Sequence, residues 1–120
     1  MARILVVEDQ PIILQLASRI LELNGHTVTP SATWTAAVEA LDSPEPFDLV
    51  LTDMNLPDGT ASDLLPHLAE ADPAPAVIVM SGYETESIGL ETAAGRPIGL
   101  LQKPFAPADL SAAVDAALAG

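Results

Sequence analysis

A chain of 120 residues, 49% hydrophobic and 18% charged, is too apolar to stay disordered and too short for two full domains, so it is expected to close around one core. Seventeen acidic side chains against four basic ones leave a formal charge of -13, which repels phosphate backbones and anionic lipid and speaks against direct nucleic-acid or membrane binding. With no cysteine there are no disulfides, thiolate metal sites or thiol nucleophiles, and the short apolar runs without a cationic leader point to a soluble, cytoplasmic domain.

The first apolar run, Ile4 to Val7, is continuous, as a strand buried on both faces should be. It leads through Glu8 into a helix that enters at Asp9-Gln10-Pro11, repeats Ile12, Leu16, Ile20 and Leu23 at helical spacing, and stops at Asn24-Gly25. A second strand at His26 to Thr29, a shorter helix from Trp34 to Leu41 and a third strand at Leu49 to Leu51 follow. After Gly59 a third helix starts late, with Ser62 as cap and Pro66 in its opening turn. The fourth strand is Val77 to Met80. The helix after it, Glu84 to Ala94, has only Ile88 and Leu90 as large apolar residues and should be the least firmly held. Ile98 to Leu101 forms the fifth strand, and a last helix carries Pro107 in its first turn and Leu110, Val114, Ala117 and Leu118 on one side. The proline-rich stretches Asp42 to Pro46 and Asp72 to Ala76 are short connections, so residues 1–120 read as a single domain. Alternation of strand and helix predicts an α/β fold, a (βα)5 doubly wound parallel sheet.

In such sheets ligands bind beyond the carboxyl ends of the strands. The first strand ends in Glu8-Asp9, the third in Thr52-Asp53, the fourth in Ser81-Gly82 and the fifth in Gln102-Lys103-Pro104-Phe105. With strand order 2-1-3-4-5, Asp9 and Asp53 face each other with Glu8 beside them, and three carboxylates so close repel unless a hard divalent cation such as Mg2+ joins them. Lys103 is the only lysine, and it follows the fifth strand at the same edge, where Ser81 adds a hydroxyl. A carboxylate nucleophile, a metal, an ammonium and a hydroxyl together suit phosphoryl transfer. Each residue alone has a plainer reading: Glu8-Asp9 as a helix cap, Asp53 as a turn residue before Leu56-Pro57-Asp58-Gly59, Lys103-Pro104 as a surface kink. Their convergence on one edge carries the functional reading. His26 and His67 read as solvated surface residues, and Trp34 is assigned no role.

At these residues the sequence resembles the receiver domain of two-component response regulators. The likeness rests on Val6-Val7-Glu8-Asp9, Asp53-Met54-Asn55-Leu56-Pro57-Asp58-Gly59, Met80-Ser81-Gly82-Tyr83 and Lys103-Pro104-Phe105, and runs from Arg3 to Leu118. It implies a flavodoxin-like fold with strand order 2-1-3-4-5 and a switch in a phosphorelay rather than a turnover enzyme. It further implies that Asp53 is the phosphoacceptor for a histidine kinase or histidine phosphotransfer protein, and that a downstream protein partner reads the result. Asp9 and Asp53 would ligate magnesium with the backbone carbonyl of Asn55, Glu8 would act through water, Lys103 would pair with the phosphoryl group and Ser81 would hydrogen-bond to it. The Lys103–Pro104 bond would be cis, as in the family. Leu100 departs from the pattern, standing where many receivers carry an aromatic switch residue. Output is then expected through Ser81-Gly82-Tyr83 into the fourth helix, while the resemblance puts Tyr83 and Asn55 at positions that in the family flank the phosphoryl group and tune its lifetime.

A haloacid-dehalogenase-like phosphatase also places an aspartate after an apolar strand, but it wants a second aspartate two residues on, where this chain has Asn55. A receiver fold that is never phosphorylated is opposed by the complete set Asp9, Asp53, Ser81 and Lys103. The remaining alternative is one of context, a receiver excised from a hybrid histidine kinase or a larger regulator; Met1 immediately before the first strand favours a natural start.

Overall fold

The computed structural model describes residues 2–42, 46–60, 75–81, 99–103 and 105–119. In chain order these form β1 (Arg3–Val7), α1 (Pro11–Leu23), β2 (Thr27–Ser31), α2 (Trp34–Leu41), β3 (Leu49–Asp53), a small ribbon of β4 (Asn55–Leu56) and β5 (Gly59–Thr60), β6 (Ala76–Ser81), β7 (Gly99–Gln102) and α3 (Pro107–Ala119). The expected helices at Ser62 and Glu84, His67, Tyr83 and the Lys103–Pro104 bond lie outside the described residues. Five strands pair in parallel in the order β2-β1-β3-β6-β7, which is the expected 2-1-3-4-5 order once the ribbon is set aside, and the fold is flavodoxin-like.

The continuous apolar runs are explained by burial on both faces. Leu5, Val7, Val50, Val77 and Val79 pack with Ala37 and Phe47 beneath α2, while Ile4, Val6, Leu49, Leu51, Ile78 and Met80 pack beneath α1 and α3 through Ala17, Ile20, Leu21, Leu110 and Val114. Successive residues of one strand therefore serve opposite cores, so both positions are apolar along most of each run; Thr52, fully buried in β3, is accommodated because its hydroxyl donates to the Asp53 carbonyl at 3.0 Å. β2 runs two residues further than expected and admits Pro30, which is tolerated because β2 is an edge strand.

Helix α1 has the expected bounds but a different inner face. Of the expected stripe of Ile12, Leu16, Ile20 and Leu23 only Ile20 packs inward: Ile12 is 81% exposed, Leu23 73% and Leu16 44%, and Ala17 and Leu21 are buried beside Ile20. Apolar residues fill two neighbouring stripes of this helix, so spacing cannot choose between them. The sheet takes the one centred on small Ala17, which lets the helix axis come closer. At its C-terminus the Gly25 N–H donates to the Glu22 carbonyl and the His26 N–H to the Leu21 carbonyl, each at 3.0 Å, with Gly25 at φ 92°. This Schellman closure is why the helix stops where Asn24-Gly25 indicated. His26 is not a freely solvated surface residue: it is half-buried, and its Nδ1 accepts the Ala2 N–H at 3.1 Å.

Trp34, given no role from sequence, begins α2 and packs against the core beneath it. Asp58, read as plain turn chemistry, caps the same helix. Its carboxylate accepts the Trp34 N–H at 2.7 Å, the Thr35 N–H at 3.0 Å and the Thr35 hydroxyl, and these bonds, that of the hydroxyl first, hold it below the usual carboxyl range.

Gly25→Ala should destabilise the domain by about 1–2 kcal/mol, because a Cβ in the left-handed region clashes with its own carbonyl. Urea unfolding measures this, and an unchanged midpoint would show that the α1 terminus does not depend on that backbone conformation.

Candidate functional site

Parallel register delivers the site residues to one edge. Val7 pairs with Thr52 and Asp53 with Met80, so Glu8 leaves β1 beside the last residue of β3. Ser81, last in β6, pairs with Gln102, last in β7, and Lys103 follows directly. The Glu8 N–H donates to the Ser31 carbonyl at 3.0 Å, extending the ladder one residue past β1 and keeping the Glu8 side chain inside, where it is fully buried.

A buried carboxylate needs a partner, and Glu8 has two. Its Oε2 lies 2.7 Å from Lys103 Nζ and its Oε1 accepts the Gln10 N–H at 3.1 Å. The same ammonium sits 2.9 Å from Asp53 Oδ1, which also accepts the Met54 N–H at 2.9 Å. The lone lysine thus bridges two strand ends. Burial pushes the Glu8 carboxyl above its ordinary value, with the charge of Asp53 adding to the rise and the bonds from Lys103 and Gln10 only partly offsetting it. Burial pulls the Lys103 ammonium the other way from its carboxylate partners. The hydrogen bonds to Glu8 and Asp53 prevail, so its pKa ends above the ordinary value and it stays charged.

Glu8, Asp9 and Asp53 each offer an oxygen within 4.8 Å of the others, grading from buried Glu8 through half-buried Asp53 to exposed Asp9. Lys103 answers two of the three carboxylates, Glu8 and Asp53, and a hard divalent cation, which takes carboxylate, carbonyl and water oxygens, fits the donor set. The plainer readings do not account for the arrangement. Gln10, not Glu8 or Asp9, is the N-cap of α1 and makes no side-chain capping bond; Asp53 closes a sheet strand, and the Lys103 side chain is only 19% exposed. Of the expected site residues, Glu8, Asp9, Asp53 and Lys103 are brought together by their side chains. Ser81 and Asn55 are placed by backbone, at the end of β6 and the start of β4. The direct Glu8–Lys103 pair was not anticipated. Its signal was the buried position of Glu8 directly after a run interior on both faces.

With the geometry in view, the comparisons agree on one family. Residues 4–115 match the response regulator receiver domain. The phosphate regulon transcriptional regulatory protein PhoB of Escherichia coli is 34% identical over 121 residues, covering 97% of this chain and 51% of PhoB, so the chain spans about half the length of that relative. The response regulator receiver protein CpdR of Brucella abortus is 32% identical over 110 residues, covering 92% of this chain and 91% of CpdR. A receiver domain structure from Clostridium thermocellum superposes with a TM-score of 0.86 at 28% identity, covering 99% of this chain and 95% of the other. The chain belongs to the receiver domain family of two-component response regulators, which are phosphorylation-controlled switches that generally depend on Mg2+. No helix of the described residues is long and apolar enough to cross a membrane.

Lys103→Met should destabilise the domain by about 1–3 kcal/mol at pH 8, because Glu8 is left buried without its cation. The loss should be smaller at pH 5. Removing Lys103 raises the folded-state pKa of Glu8 further above its unfolded value, and a raised pKa contributes stability at low pH that is lost as pH rises through it. Urea titrations at the two pH values decide the point; equal losses would contradict the pairing.

Proposed function

We propose that residues 1–120 form a single receiver domain that accepts a phosphoryl group on Asp53 from a histidine kinase or histidine phosphotransfer protein and thereby switches its contacts with a downstream protein. The observation that carries this reading is the bridge from Lys103 Nζ to Asp53 Oδ1 at 2.9 Å, beside the exposed carboxylate of Asp9.

Asp53 Oδ1 holds both the ammonium and the Met54 N–H; neither falls on Oδ2. A carboxylate tethered by one oxygen has its other oxygen oriented as a nucleophile. That oxygen forms a bond to phosphorus as the phosphorus–nitrogen bond of the donor phosphohistidine breaks, and the electron pair returns to the imidazole. Lys103 balances charge on the incoming group, while Glu8 keeps the ammonium anchored from the buried side. Ser81, at the end of β6, would donate its hydroxyl to the phosphoryl group and pass the change into the chain that follows. Asp9, Asp53 and the Asn55 carbonyl would hold magnesium, with Glu8 acting through water. When bound, the cation supplies neutralisation of the phosphoryl oxygens during transfer.

The exposed stripe of Ile12, Leu16 and Leu23 supports a protein donor. It lies on α1, which leaves the site directly after Asp9, so an apolar helix seated there brings its histidine towards Asp53.

Incubation with acetyl phosphate and Mg2+ should give a hydroxylamine-labile adduct that Asp53→Asn abolishes, whereas an adduct on serine or histidine would refute the assignment. Mg2+ should also raise Tm, and Asp9→Ala should erase that rise. A separate expectation concerns the donor: Leu16→Asp should slow transfer from a phosphorylated kinase at least tenfold while leaving the acetyl phosphate rate within twofold. Equal effects on both donors would remove the stripe from the reaction.

A further inference from the structure

Directly after Asp53 the chain folds back on itself. Asn55 pairs with Thr60 and Leu56 with Gly59, an antiparallel ribbon of two residues a side. A ribbon that short has no stability of its own in water, so its position is set by what it is fastened to. The Met54 N–H donates to the Met80 carbonyl at 2.9 Å, which ties the entry to β6. Leu56 is buried in the core beneath α2. The turn itself is fastened by Asp58.

That fastening is specific. Trp34 and Thr35 are the first residues of α2, and their N–H groups have no acceptor inside the helix. The helix's own cap, the Thr33 hydroxyl, reaches the Ala36 N–H at 3.0 Å. Asp58, from 24 positions along the chain, takes the other two with separate oxygens, Oδ1 for Trp34 and Oδ2 for Thr35, and adds the Thr35 hydroxyl. Its negative charge also complements the positive end of the helix. Gly59 permits the approach: a Cβ there would stand 2.6 Å from Trp34 Cγ, so any side chain would push the ribbon off the helix.

We infer that Asp58 is a positioning residue for the phosphorylation site, holding the backbone of Asn55 at the sheet edge by capping α2 from the far end of the ribbon. The inference rests on the proposed reading, in which the Asn55 carbonyl is one of the groups that hold magnesium. Asp58 touches neither the cation nor the phosphoryl group. It acts on where a ligand stands, as outer partners of metal ligands do, and their loss typically weakens metal binding by about 10–100-fold.

Two substitutions at the same helix end separate positioning from plain stability. Asp58→Ala frees the ribbon, whereas Thr33→Ala removes a capping bond from α2 and leaves the ribbon fastened. Both should lower Tm. Mg2+ affinity, measured by isothermal titration calorimetry with the metal alone, should fall about tenfold in Asp58→Ala and stay within twofold of wild type in Thr33→Ala. Asp58→Asn, which keeps one acceptor oxygen, should restore part of the affinity, and Thr35→Val, which removes only the hydroxyl donor, should weaken binding in the same direction even if Asp58→Ala fails to fold. An Asp58→Ala protein that binds Mg2+ like wild type, or a Thr33→Ala protein that loses as much affinity, overturns the inference while the magnesium reading stands. Wild-type protein that takes up no Mg2+ at millimolar concentration overturns the magnesium reading itself, and the inference with it.

Discussion

One ammonium among three carboxylates is the constraint around which this domain is arranged. Glu8, Asp9 and Asp53 bring oxygens within 4.8 Å of one another, and Lys103 answers two of them. Two like charges 4 Å apart repel by about 4 kcal/mol at an effective dielectric of 20, so the cluster exists only because the sheet holds it together. The buried member, Glu8, has its charge fixed in place by Lys103 and the Gln10 N–H, which leaves the excess negative charge facing solvent at Asp9. An open, negative, oxygen-rich edge suits a hard cation.

The sheet can hold the cluster because both of its faces are committed to packing. Alternate residues of β1, β3 and β6 belong to opposite cores, so no strand can slide or turn without moving buried side chains into water. All five strands run the same way, and their carboxyl ends open on one edge. The site residues thus gather at the strand ends: Asp53 and Ser81 close β3 and β6, and Glu8 and Lys103 follow β1 and β7 directly. The opposite end of the sheet is closed by Arg3, whose guanidinium stands 4.3 Å from the Phe47 ring centroid and whose backbone N–H donates to Asp48 Oδ2 at 2.8 Å.

The helices divide the remaining work. α3 is tied to α1 by its packing and by the Asn24 amide, which donates to the Ser111 hydroxyl at 2.8 Å. α2 supports the ribbon after Asp53, and α1 carries an apolar stripe outward beside Asp9. Leu100, 53% exposed on β7, leaves a small aliphatic surface at the position where an aromatic switch is common in the family.

Much of this was legible in the sequence, because the controlling signals are local. Continuous apolar runs marked strands buried twice over, Asn24-Gly25 marked the end of α1, and polar residues at the run ends marked the reactive edge, with Lys103 conspicuous as the only lysine. What only the tertiary structure decided are the choices between equivalent local patterns and the contacts between distant segments. Two apolar stripes on α1 have the same period, and only packing against the sheet chose the one with Ala17 and turned Ile12, Leu16 and Leu23 outward. Sequence offered Glu8 as a cap or a water-linked ligand, and its ion pair with Lys103 at 2.7 Å became visible only once register set the two strand ends side by side. Asp58 has the sequence of an ordinary turn, and its task as the cap of a helix 24 positions earlier exists only because the fold brings the turn between β4 and β5 against the start of α2. Periodicity and turn chemistry are properties of neighbouring residues, whereas a helix face, an ion pair and a distant cap depend on which segments meet.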